Sequence, residues 1–114
     1  MTEHSIIVTF YHFGEKFWNE DLQPLDPLYD LEDALVERLD GKDVGELDGH
    51  EIAMDGSDGF LFLYGPNADA LYEVIEPVLR ASTVTQGGHA TLRYGAHNTL
   101  NVREKYIEIK PHLH

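Results

Sequence analysis

Apolar positions along the chain fall into two periods, and the switches between them mark its elements. Ile6 to Phe13 is a run of β-branched and aromatic residues with Thr9 and His12 interleaved, which predicts a strand that Gly14 ends. Residues 15–25 keep neither period. Phe17, Trp18, Leu22 and Leu25 sit there among charges, as in a long packed loop. Asp26-Pro27 then supplies an N-cap acid followed by proline at the first helical position. Leu28, Leu31, Leu35 and Leu39 recur three and four apart, an apolar stripe on a helix that stops at Gly41. The opposite face carries Asp30, Asp33, Glu37 and Asp40.

Val44 to Met54 reads as a strand interrupted by Gly45 and Gly49, a pattern that points to a bulge or a close backbone approach. Asp55-Gly56-Ser57-Asp58-Gly59 is turn chemistry, and Phe60 to Tyr64 is apolar on both faces, so residues 44–64 predict a β-hairpin. Gly65-Pro66-Asn67 opens a second helix with Leu71, Val74, Ile75, Val78 and Leu79 on its buried stripe and Asp69 in its first turn. Pro77 removes one helical hydrogen bond, which predicts a bend over Glu73 to Glu76. After a loop from Ser82 to Gly88, His89 to Tyr94 alternates Ala90, Leu92 and Tyr94 against His89, Thr91 and Arg93. A turn region from Gly95 to Leu100 follows. Val102 to Lys110 alternates again, with Ile107 and Ile109 on one side and Tyr106 and Glu108 on the other, until Pro111.

The predicted order is β-α-β-β-α-β-β, a single α+β domain over residues 1–114. Its first six elements match a ferredoxin-like βαββαβ unit, with two helices on one face of an antiparallel sheet and an extra C-terminal strand at an edge or in a closing hairpin. In that arrangement Ile6, Val8 and Phe10 face the helices while Thr9 and Tyr11 face away. Alternation adds Thr91, Arg93, Tyr106 and Glu108 to the uncovered face, and would bring Asp48 and His50 to it as well. Tyr11, His50, Arg93 and Tyr106 are the candidate binding residues there.

Charge changes the picture more than composition does. The chain has 21 acids and 8 bases. Between Glu15 and Asp58 stand 15 acids against Lys16, Arg38 and Lys42, a local balance of −12, whereas the remainder is nearly neutral. Such a surface repels phosphate backbones and anionic lipid, so neither nucleic acid nor membrane is an expected partner, and a basic protein is. The absence of cysteine excludes disulfides, zinc–thiolate sites and a thiol nucleophile, and suits a reducing cytoplasm. No apolar run approaches the roughly 20 residues a membrane helix needs. The N-terminus lacks the basic start and apolar core of a signal peptide.

The stretch Gly45-Glu46-Leu47-Asp48-Gly49-His50-Glu51-Ile52, then Asp55-Gly56-Ser57-Asp58-Gly59 and Tyr64-Gly65-Pro66-Asn67-Ala68-Asp69, resembles a small bacterial domain family with no assigned function. Pro77-Val78-Leu79 and Leu92-Arg93-Tyr94-Gly95 fit the same likeness. It covers roughly residues 44–110 and implies no activity, cofactor or site.

Motifs for chemistry fail on inspection. Read as a calcium loop from Asp55, the fifth position is Gly59, the sixth Phe60 and the twelfth Pro66, where an oxygen ligand, glycine and glutamate are required. Seven histidines include no pair at metal-ligand helical spacing, and His112 and His114 sit at the terminus, so no metal or cofactor is expected. No glycine-flanked serine elbow or phosphate loop occurs, and no catalytic residue stands out. The expected function is therefore non-enzymatic: an acidic module that docks a basic protein, as inhibitor or immunity proteins do, through Asp30, Asp33, Glu37 and Asp40. The alternative is a small enzyme or ligand-binding protein, as a homodimer, that uses the open sheet face. A solubilising or halophilic role accounts for the same acids.

Overall fold

A computed structural model describes residues 3–11, 26–53, 58–95 and 101–110, with Asp26 described in its backbone alone. The elements are β1 (His4–Phe10), α1 (Asp26–Leu39), β2 (Glu46–Ile52), β3 (Gly59–Gly65), α2 (Ala68–Ala81), β4 (His89–Arg93) and β5 (Glu104–Glu108). The expected loop with Phe17 and Trp18, the side chain of the expected Asp26 cap, the tip of the 55–59 turn, most of the 95–100 turn, and His112 and His114 lie outside what the structure describes.

The strands form one sheet in the order β2-β3-β1-β4-β5, every neighbouring pair antiparallel. Each helix links strands that are not neighbours: α1 carries the chain from β1 past β3 to β2, and α2 carries it from β3 past β1 to β4. The class is α+β, a five-stranded antiparallel sheet with two helices. The last strand joins the edge beside β4, and Ile109 N–H to Gly88 O (3.0 Å) prolongs that pairing beyond β5.

Alternation places the core. Ile6 and Val8 lie opposite Leu63 and Leu61 on one side and Leu92 and Ala90 on the other, and all are buried. Leu28, Leu31, Leu35 and Leu39 of α1 and Leu71, Ile75 and Leu79 of α2 complete the cluster, so both helices cover the same sheet face. Burying each such side chain contributes about 2 kcal/mol of transfer free energy.

Two local features decide where neighbouring residues point. Gly45 has φ of +145°, and a Cβ there would run into the Tyr64 carbonyl, so the chain enters β2 only because that residue is glycine. Between Leu47 and Gly49 the β2–β3 register slips by one residue, the bulge that the two glycines foretold. Around Pro77, α2 runs unbroken from Ala68 to Ala81. Arg38 of α1 donates from Nε to the neighbouring Val74 carbonyl at 3.0 Å, which ties the helices together just before the proline.

The start of α2 is capped twice. Asn67 accepts from the Ala70 N–H at 3.1 Å, and the His4 ring accepts from the Ala68 N–H at 2.9 Å. Tyr94 donates its hydroxyl proton to Asp69 at 2.6 Å, so β1 and the end of β4 both hold that helix terminus.

Candidate functional site

Two surfaces emerge from this frame. On α1 the leucine stripe faces the core, and the remaining helix surface exposes Asp30, Asp33, Glu37 and Asp40, as the periodicity requires. Among these acids stand two apolar side chains that the leucine spacing did not single out. Tyr29 is 47% exposed and Val36 56%, seven residues apart and therefore on one side of the helix. The sequence carried that signal as two apolar residues off the main stripe.

The second surface is the sheet face away from the helices. Its registers define three rows across the strands. One row runs Glu46, Tyr64, Ser5, Arg93, Glu104; the next Phe62, Ile7, Thr91, Tyr106 beside Gly49; the third Glu51, Phe60, Thr9, His89, Glu108. Tyr64, Phe62, Phe60 and Ile7 share the middle with Ser5, Thr9, Thr91, His89 and Arg93, and carboxylates end the first and third rows at both edges. Phe60 and Tyr106 are 39% and 62% exposed and, with Tyr29 and Val36, are the exposed large hydrophobic residues among those described.

Of the predicted residues on this face, Tyr11, Arg93 and Tyr106 are there. His89, which the same alternation carries with Thr91 and Arg93, was not picked out and lies between the two tyrosines. The Tyr11 hydroxyl is 3.2 Å from His89 Nδ1, and the His89 ring stacks on Tyr106 at 4.3 Å between centroids, tilted by 27°. Burial pushes the His89 pKa down, favouring the neutral ring. Arg93 lies directly across from Glu104 with its Nε 2.8 Å from the carboxylate. Ser5, between Tyr64 and Arg93 in register, is buried with its hydroxyl unpartnered among the described residues. Burial, with the charges of Asp48 and Glu3 adding to it, raises the Tyr64 pKa.

His50 is not on this face. The bulge inserts one residue before it, so His50 pairs with buried Leu61 and turns toward the helices. Its Nδ1 lies 3.0 Å from the Glu32 carboxylate, and its ring meets Tyr29 edge-on at 6.0 Å. His50 thus supports the α1 surface from beneath. Simple alternation fails here because one extra residue inverts every later side chain of the strand.

Among the described residues no group of three or more histidines and carboxylates could hold a metal ion. No helix among them is long and apolar enough to cross a membrane. Both surfaces expose large apolar or aromatic side chains close to carboxylates: Tyr29 and Val36 on α1, and Phe60 and Tyr106 on the sheet. Comparison of the chain with protein-family models, curated proteins and solved structures finds no match.

Proposed function

We propose that this protein is a non-enzymatic binding module that docks a basic protein partner through α1. The observation that carries the reading is the exposed α1 surface, where Tyr29 and Val36 stand among Asp30, Asp33, Glu37 and Asp40. Acids at a rim steer a basic partner and reject acidic ones, while exposed apolar side chains supply area to bury. The strand order β2-β3-β1-β4-β5, with each helix spanning one intervening strand, supports a ferredoxin-like reading of the first six elements. In that reading α1 is an outer helix available to a partner. A cytoplasmic setting fits the cysteine-free composition.

The test compares capture from native lysate by the unaltered chain and by the triple variant Asp30→Asn, Asp33→Asn, Glu37→Gln. Basic proteins retained at low salt by the unaltered chain and lost from the triple variant are the expected result. If the same proteins remain on both baits at low and high salt, steering by α1 is wrong.

A second reading rests on Phe60 and Tyr106 beside the Tyr11–His89–Tyr106 array: the open sheet face takes a ligand or a second copy of the chain.

A further inference from the structure

Beside the acids of α1 lies a groove between the two helices, with a volume of about 570 Å³. Leu31 and Ala34 of α1 form one wall, Pro77, Val78 and Ala81 of α2 the other, and Val84 closes an end. The side chains here are short, and Ala81 and Pro77 are exposed, so the two helices leave an apolar trough open to solvent. Pro27 and Asp30 near the start of α1 border it with Ser82 and Thr83 just past the end of α2, and Arg38 reaches Val74 farther along. The helices therefore run antiparallel along the trough.

Acids predominate along the α1 bank of the trough. Asp30 lines it, and Asp33 and Glu37 follow on the adjoining solvent side of α1, three and seven residues on. Glu73, exposed one turn before Pro77, stands on the α2 side. The carbonyl end of α2 faces the Asp30 end and adds its partial negative charge. Among the described residues Arg38 is the single base lining the groove, and its Nε bond to α2 keeps it within the bridge between the helices. A second copy of this chain docking through the same face would set Asp30, Asp33 and Glu37 against their own counterparts.

Resting on the docking reading above, we infer that the occupant is an amphipathic basic helix of the partner protein. Its apolar stripe lies in the α1–α2 trough, and its flanking lysines and arginines meet Asp30, Asp33, Glu37 and Glu73. An apolar groove with acids along its α1 bank matches a helix with an apolar strip and a basic flank, recognised through side chains three and four residues apart. The acids then set the rate of encounter, and the trough sets orientation and residence time.

The test titrates the full chain with two Leu/Lys peptides of about 15 residues, close to the minimum for a stable helix. One places leucine on a single helical stripe, and the other scrambles the same residues. The striped peptide should bind at least about tenfold more tightly, a gap of about 1.4 kcal/mol. Backbone amide shifts in the unaltered protein should then move at Ala34, Val78 and Ala81. Ala81→Trp, at an exposed position, and separately Ala34→Trp should each weaken the striped peptide by about tenfold while leaving the scrambled one unchanged. Equal binding of the two peptides, or shifts confined to Asp33 and Glu37, overturns the helix-in-groove inference. In that case, weakening of both peptides by the Asp30, Asp33, Glu37 triple variant would still leave the docking reading standing. Insensitivity of both peptides to the triple variant would remove the docking reading too. If a tryptophan variant does not fold, the shift pattern of the unaltered chain decides the matter.

Discussion

His89 stands between two tyrosines on the open sheet face, and its neighbours determine how it titrates. Burial disfavours the imidazolium, so the folded-state pKa lies below the ordinary 6.5. Above pH 6.5 the ring is neutral in both folded and unfolded chains. As pH falls below that value the unfolded chain takes up its proton first, and stability drains away until the folded-state pKa is passed. A neutral ring with its proton on Nε2 accepts from the Tyr11 hydroxyl, and a protonated ring cannot. Chemical denaturation of the unaltered protein and of His89→Gln across this window should give a smaller loss of stability on acidification for the variant. Parallel pH profiles would show that His89 contributes nothing to the slope. His50 gives the complementary lesson. Its residue type and position suggest the open face, yet its contacts with Glu32 and Tyr29 make it a support for the α1 surface.

Among the elements, the helices owe their reality to periodicity and their positions to caps. The stripe of α1 is legible because four leucines repeat at helical spacing, and each of them is buried. The start of α2 was equally readable from Gly65-Pro66-Asn67, and Asn67 does accept from the Ala70 N–H. Asn67→Ala should destabilise the fold by about 1 kcal/mol, measured as a shift in urea midpoint with unchanged slope. A loss of a few tenths or less would mean that the His4 bond to Ala68 and the Tyr94 bond to Asp69 hold the terminus without it. The predicted bulge in β2 was legible as two glycines, but its consequence was not. Which residue is extra depends on pairing with β3, and that choice sends His50 to the helix side. Both edge strands also carry charge, Glu46, Asp48 and Glu51 on β2 and Glu104, Lys105 and Glu108 on β5, which discourages further strand addition.

For the whole molecule, charge is the governing property. A net charge of −13 on 114 residues repels itself in the compact state. Salt screens that repulsion over about 10 Å at 0.1 M. Thermal midpoints should therefore rise by a few degrees between very low and about 0.2 M salt, and association with a basic peptide should weaken over the same range. A midpoint that does not move would mean that the acids are already balanced by local contacts. In the proposed docking role the same acids have opposite effects, repelling one another in the isolated fold and attracting a basic partner.

The order of strands and helices, the sides of β1 and β4, the burial of the α1 leucines and the acidity of the opposite helix face all followed from the chain alone, because each depends on spacing within one element. Tertiary structure decided what spacing cannot encode. It brought His89 between Tyr11 and Tyr106, turned His50 inward across the bulge, and left a trough between α1 and α2 beside the acids. Those outcomes depend on register and on how two helices with short side chains meet, and such contacts join residues far apart in sequence.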